Sequence, residues 1–333
     1  MKNLVDILEN DILEQYPSVL ELLLLDQTTK DNILWATSNY LEFSEAYTPD
    51  STIQVEHITG QNGKLIMPRV EKTSHVQLSR VKEKAEVFTP SWVCNAQNNL
   101  IDNAWFAREN VFNIELQDDS QNFWKSNTKK IKFPKEKSWK DYVKSIRLET
   151  SCGEAPYLVS RYDTTTGKFI KIRDRIGILD RKLRIVSENC STTDEWLKYT
   201  MVAFQSTYGY EWQGDNLLLA RESLLYTFID FFKEKFKKSP PIESIEKISY
   251  IVSWNIWQMD GLKGVIPGSC FENVEEITNL FGEKETITNV CEGCKKNDVT
   301  KHNGIYSYIM DWTQEKNEGE FGKIVRFIDL LEN

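Results

Sequence analysis

Four residues in the last quarter of the chain have the types and spacing of a metal site. Cys291 and Cys294 form a Cys-x2-Cys pair, His302 follows after seven residues, and Cys270 precedes it by twenty. Two thiolates on one tight turn, joined by a further thiolate and an imidazole, make the tetrahedral donor set of a structural zinc. Lys295 and Lys296 would offset its negative charge. The plainer alternative is free thiols beside a surface histidine. A redox role for the pair is disfavoured, because no thioredoxin-like βαβ pattern surrounds it.

A second group suits a cofactor. Ile146 and Leu148 indicate a short buried strand ending at Glu149, with a tight turn through Ser151, Cys152 and Gly153. Glycine lets the backbone approach a ligand, and ligands of open α/β sheets sit beyond the carboxyl ends of the strands. Glu211 ends a second predicted strand, Thr207-Tyr-Gly-Tyr-Glu211, where it can accept hydrogen bonds from a ribose diol; a surface glutamate is the alternative. After it, Leu217, Ala220, Leu224, Phe228 and Phe231 fall at 3-4-4-3 spacing, a helix face packed on a sheet. No Ser/His/Asp set, phosphate-binding loop or paired-carboxylate arrangement stands out. His57 and His75 lie in polar stretches and read as surface residues.

These groups need a folded chain to position them, and the composition supports one. The 333 residues are 40% hydrophobic and 12% aromatic, which describes a globular protein. Apolar spacing predicts two amphipathic helices over 3–25, interrupted at Pro17, and Gly60 and Gly63 suggest a hairpin turn. No apolar run approaches the ~20 residues of a membrane helix. Asp6, Glu9, Asp11 and Glu14 stand where a signal peptide would be basic and then apolar, so a cytoplasmic protein with reduced thiols is expected.

The net charge of −9 lies wholly within residues 1–60, which carry eleven acids against Lys2 and Lys30. That segment is expected to stand as an acidic appendage facing solvent or a basic partner. Basic residues gather in Arg80-Val-Lys82-Glu-Lys84, and two longer stretches have net charges of +7 (125–147) and +5 (168–184). With Trp124, Phe133, Trp139 and Phe169 interleaved they suit a phosphate backbone, or else a solvated lysine-rich surface.

Taken in order, the segments resemble the adenine-N6 DNA methyltransferases found as modification (M) subunits of restriction–modification systems. Phe88-Thr89-Pro90 is similar to the Phe-Thr-Pro that opens their methionine-side motif. Glu149-Thr-Ser-Cys-Gly-Glu-Ala-Pro-Tyr-Leu158 resembles their Asp-Pro-Ala-Cys-Gly-Ser-Gly-x-Phe-Leu loop. Tyr208-Gly-Tyr-Glu211 looks like their Gly-Ile-Glu strand, and Asp260-Gly-Leu262 like their Gly-Asp-x-Leu turn. The resemblance spans residues 80–265. It implies a Rossmann-like, S-adenosylmethionine-dependent α/β domain over 81–333, after an acidic, mainly helical region at 1–80. A zinc-binding insertion would occupy 268–304. Phe88, Thr89 and Pro90 would close over the methionine, and Glu149, Ser151, Cys152 and Gly153 would line the methionine and ribose side. Glu211 would take the ribose, Asp260 the adenine, and DNA would be the partner.

The departures carry weight too. Thr150 stands for the family's proline, Glu154 and Ala155 for a small residue and the second glycine. Asp180, in Arg175-Ile-Gly-Ile-Leu-Asp180, is a rival for the ribose acid. The family holds the flipped adenine's amine with Asn/Asp-Pro-Pro-Tyr/Phe, whereas the only Pro-Pro here, Pro240-Pro241, follows Ser239. Asn255 and Asp311 follow apolar residues but lack the prolines, so no catalytic residue is assigned. The expectation is the cofactor-binding portion of a longer or split enzyme, completed by further chain or a further subunit, or an inactive relative; the alternative is a non-catalytic DNA- or protein-binding subunit.

Overall fold

Pro17 divides the N-terminal apolar run into α1 (Glu9–Gln15) and α2 (Pro17–Leu24), because proline is tolerated in the first turn of a helix but not in its interior. The computed structural model describes residues 5, 7–72, 89–118, 122–278, 284–317 and 320–331. Helix α3 (Ser91–Phe106) starts directly after Pro90, and β1 (Asn113–Gln117) pairs antiparallel with β2 (Asn122–Ser126). Helix α4 (Trp139–Lys144) is capped by Ser138, which accepts from the Asp141 N–H, and leads into β3 (Arg147–Glu149).

Next come α5 (Ile178–Asn189), α6 (Thr193–Gln205) and β4 (Thr207–Glu211). They are followed by α7 (Gly214–Phe236), α8 (Ile242–Asn255) and β5 (Ile256–Gln258). The chain ends in two antiparallel hairpins, β6 (Asn273–Thr278) with β7 (Lys284–Asn289) and β8 (Tyr308–Asn317) with β9 (Glu320–Arg326), separated by the short helix α9 (Glu292–Lys296).

The fold is thus mixed α/β. Its central sheet is parallel, in the order β3-β4-β5, with Leu148 opposite Tyr208 and Tyr210 opposite Trp257. Parallel neighbours need long crossovers, which the helix pairs α5–α6 and α7–α8 supply. All five residues of β4 are buried, as is the expected apolar face of α7 from Leu217 to Phe231.

Three expectations are corrected. Strand β3 pairs only with β4 among the described residues, so Ile146 and Leu148 are 57% and 44% exposed rather than buried. Gly60 begins a 3-10 turn, Gly60–Asn62, rather than a hairpin. Finally, the acidic N-terminal segment is not an appendage. Ile12, Leu20, Leu24, Trp35 and Ile53 belong to the main core together with α7 and α8.

Arg221 of α7 explains that union. Its fully buried guanidinium donates to the carbonyls of Leu23 (2.6 Å) and Leu25 (3.0 Å) at the end of α2, Ser253 (3.2 Å) in α8 and Ile256 (2.8 Å) in β5. Burial brings its pKa down to about 10, against the attraction of Asp26. Arg221→Leu would orphan these acceptors at about 1–3 kcal/mol for each buried one. Urea unfolding should therefore register a loss of at least about 3 kcal/mol; a change below about 1 kcal/mol would show that the core joins by other means.

Candidate functional site

After β3 the chain bends through three residues in the left-handed region, Ser151 (φ 49°), Gly153 (φ 54°) and Ala155 (φ 59°). Glycine adopts that conformation freely, but Ser151 and Ala155 carry a Cβ there and store strain. Left-handed residues spaced in this way curl the backbone so that N–H groups face a concavity suited to anions. Here the carboxylate of Glu211 meets the curl, with Gly153 N–H donating to its Oε2 at 2.9 Å and Gln213 N–H to its Oε1 at 3.2 Å. The N–H of Cys152 donates to the Tyr210 carbonyl at 2.8 Å, stitching the turn to β4.

Glu149 closes the far side by accepting from the N–H groups of Tyr157 (3.4 Å) and Leu158 (3.2 Å). Burial pushes its carboxyl well above the usual range, against those two bonds, and the charge of Glu211 adds to the rise. Burial, then the charges of Glu149 and Glu211, also raise the Cys152 thiol well above its ordinary value, so it packs rather than reacts.

The other expected cofactor residues lie around this turn. Pro90 caps α3, and Thr89 lies beside Tyr157 of the turn, its carbonyl accepting from the Thr164 hydroxyl at 3.1 Å. Asp260 follows β5 at the same end of the sheet, where the neighbouring Met259 N–H donates to the Glu211 carbonyl at 3.0 Å. Its carboxylate is folded back on its own loop, accepting from Leu262 N–H (2.9 Å) and Lys263 N–H (3.3 Å). Phe88 lies outside the described residues, as do His75 and the basic cluster at 80–84.

The rival residues are structural. Asp180 lies in the first turn of α5, not at a strand end, and accepts from Ser160 N–H and Gly177 N–H. Asn255 lies at the opposite, amino end of β5, with its amide bonded to Phe204, Thr207 and Trp312. Asp311 lies within β8 and accepts from Thr313.

The four metal-type residues do meet. Their donor atoms all lie within 4.8 Å of one another, and His302 Nδ1 is 3.4 Å from Cys270 Sγ, 3.6 Å from Cys291 Sγ and 3.7 Å from Cys294 Sγ. A tetrahedral ion with Zn–S of about 2.3 Å and Zn–N of about 2.1 Å requires S···N edges of about 3.6 Å. The twenty-residue spacer is the β6–β7 hairpin, whose pairing of Asn273 with Asn289 returns Cys291 to Cys270.

Second-layer contacts set the ligands. Asn303 N–H donates to Cys291 Sγ at 3.3 Å, while its side chain brackets the backbone of Phe271 beside Cys270. Burial raises the Cys291 thiol, but N–H bonds from Cys294 and Asn303, with the His302 ring, outweigh it and bring the pKa down to about 6. Cys270 is pushed up to about 11 by burial and by the two neighbouring thiols. Lys296 is engaged with Glu292 at 2.7 Å, so the cation whose charge acts on Cys270 and Cys294 is Lys263. Gly293 escaped notice in the sequence. A Cβ there would lie 2.7 Å from both His302 N and His302 Nδ1, so only glycine lets the imidazole reach the two thiols.

The basic stretches divide. Lys129, Lys130, Lys132, Lys135, Lys137 and Lys140 are exposed, but Arg175, Arg181 and Lys182 are buried. Arg181 pairs with Asp102, Arg175 with Asp230, and Lys182 donates to Ser145 and Ser206. Their charges serve the interior. Of the others, Lys125, Arg173 and Arg184 meet at a cleft of about 860 Å³ beside Phe123 and Trp124. Among the described residues no helix is long and apolar enough to cross a membrane. No family model, curated protein or solved structure matches the chain.

The raised Glu149 carboxyl has a pH signature. Above the unfolded carboxyl pKa of about 4.3 the unfolded chain loses this proton while the folded chain retains it, so stability falls as pH rises toward the folded value. Glu149→Gln removes this titration and keeps an acceptor for the turn. Its thermal stability relative to the native chain should improve steadily as pH rises above about 4. Parallel profiles for the two proteins would refute it.

Proposed function

We propose that the chain is an S-adenosylmethionine-binding, DNA adenine-N6 methyltransferase-like protein of a restriction–modification system, whose target-amine site is completed by a further subunit. One observation carries this reading. Segments far apart in sequence, around Thr89, Glu149–Gly153, Glu211 and Asp260, converge at the carboxyl end of three parallel strands in the order β3-β4-β5. That is where ligands of open α/β sheets bind.

The residues fit such a cofactor. An ionised carboxylate has about four lone-pair sites, so Glu211 can take ribose hydroxyls while it still receives the Gly153 N–H. Asp260 is placed for the adenine and Thr89 for the methionine. S-adenosylmethionine, when bound, supplies an electrophilic methyl group. The chain's own contribution is to orient it through positioning. Among the described residues β3 pairs only with β4, which supports a further subunit, since such an edge beside the turn can accept another strand. The exposed lysines at 129–140 suit the DNA phosphates.

The engagement of Glu211 with Gly153 favours one other reading, a non-catalytic DNA- or protein-binding subunit in which the carboxylate has replaced the cofactor. Calorimetry separates the two. Saturable S-adenosylmethionine binding, weakened at least about tenfold by Glu211→Ala, supports the cofactor site. No saturable binding sinks it. Tritiated-methyl transfer to mixed-sequence DNA should be slight or nil from this chain alone, and robust turnover would overturn the assignment of a missing catalytic turn.

We assign the Cys270, Cys291, Cys294 and His302 centre to structural zinc, on its edge lengths and three-sulfur donor set. Purified protein should carry close to one equivalent. Gly293→Ala should lower zinc affinity at least about tenfold by blocking His302. Less than about half an equivalent in the native protein, or full affinity in the variant, counts against the site.

A further inference from the structure

A short run of hydrogen bonds joins the metal-type centre to the Asp260 turn. His302 N–H donates to the Tyr306 hydroxyl at 2.8 Å, and that hydroxyl donates to the Val299 carbonyl at 3.0 Å. The Tyr306 side chain is thus tied to the backbone of one of the four metal-type residues. Its own backbone pairs with Val265, and Val265 pairs in turn with Asp260, whose N–H donates to the Val265 carbonyl at 2.8 Å. The neighbours repeat the link. Ile266 N–H donates to the Ile305 carbonyl at 2.8 Å, and Ser307 N–H to the Gly264 carbonyl at 3.0 Å.

Packing follows the same line. The Tyr306 ring and Val299 lie against a small apolar cluster apart from the main core, which holds Tyr210 of β4, Trp257 of β5 and Met259 just beyond it. Tyr210 precedes Glu211, and Met259 precedes Asp260. Within the turn, Gly264 takes a left-handed φ of 71°, and a Cβ there would collide with Ile328. The turn is therefore as well placed as the segment that carries Tyr306. That segment has little regular structure to hold it, since α9 has only five residues and a helix so short is not stable by itself. The three thiols and the imidazole supply what is missing, because the binding energy of a structural metal is also folding energy for the loop that ligates it.

We propose that Tyr306 is a positioning residue, through which the metal centre holds the Asp260 turn in place for the cofactor. The proposal rests on the zinc and S-adenosylmethionine assignments above. Zinc orders the loop from Cys291 to His302, the His302 N–H fixes the Tyr306 hydroxyl, and the pairing of Tyr306 with Val265 and of Val265 with Asp260 sets the turn. Coupling of this kind is reciprocal, so the cofactor tightens zinc by the factor with which zinc tightens the cofactor.

Amide hydrogen exchange on the full chain, loaded with zinc and stripped by a chelator, reads the turn directly and needs no cofactor. Stripping should speed exchange over 258–266 at least about tenfold and leave α7 unchanged. Tyr306→Phe keeps the ring and the backbone pairing, and should still carry zinc, but it leaves His302 N–H without its acceptor. In this variant the turn should exchange faster even with zinc present, and stripping should add less than about threefold. Such non-additivity marks a link through the hydroxyl, whereas plain packing by Tyr306 would give additive effects. By calorimetry, stripping should weaken S-adenosylmethionine at least about fivefold, and S-adenosylmethionine should tighten zinc equally. Turn exchange indifferent to zinc, equal loss of protection in α7, additive effects of the two changes, or a chain that takes up no zinc would overturn the proposal. The zinc comparison decides alone if Tyr306→Phe does not fold. Failure of S-adenosylmethionine to bind the zinc-loaded protein would instead sink the cofactor reading, and the exchange result would still decide whether the metal sets the turn.

Discussion

The buried guanidinium of Arg221 is the constraint on which the rest of the architecture depends. A charge in the interior is tolerated only when its donors are satisfied, and here the satisfying carbonyls come from two separate parts of the chain. The end of α2 and the junction of α8 with β5 must therefore converge on one side chain of α7. Once they do, Gln258 can bond both to Leu34 and to the Trp212 carbonyl, and Gly214 N–H to the Trp35 carbonyl. The carboxyl end of the sheet is thus walled on one side by the N-terminal segment.

On the other side of the same sheet end, the cofactor-like turn is built from its own acids. Glu211 and Glu149 are ligand-type residues by their position, yet each accepts main-chain N–H groups that the sharp turn would otherwise leave bare. Strain at Ser151 and Ala155 is sustained because these bonds over-determine the local backbone. The metal-type centre works on the opposite logic. Its thiols and imidazole face one another rather than the backbone, and the Asn303 side chain fixes the two strands of chain that deliver them. One site spends its polar atoms on its own fold, while the other keeps them for an ion.

What could be read from the sequence divides along local and non-local lines. The face of α7 and the strand ends at Glu149 and Glu211 follow from spacing that neighbouring residues set, and they stand as expected. The Cys-x2-Cys turn is equally local, and only the hairpin between Cys270 and Cys291 had to be inferred. Burial of Ile146 and Leu148 failed because whether a strand is central or at an edge depends on partners elsewhere. The stretch at 168–184 misled for a related reason. Arg181 looks like surface charge until Asp102, far back in α3, is brought against it, and Lys182 until Ser206 is. The acidic N-terminal region looked detachable by composition, although Leu20, Leu24 and Trp35 already carried the apolar surface that packs it down.

The two ends of the β3-β4-β5 sheet edge are not equivalent, and that asymmetry bears on function. After β5 the chain makes isolated pairings, Asp260 with Val265 and Val265 with Tyr306, on its way toward the metal-type centre. At β3 nothing among the described residues continues the ladder, and apolar Ile146 and Leu148 stand exposed within a few residues of the strained turn. A strand added there would satisfy the free backbone groups and cover those side chains. It would also bring its own carboxyl end beside Ser151 and Gly153, if parallel. New residues could reach the turn from that side without rebuilding the core that Arg221 holds together.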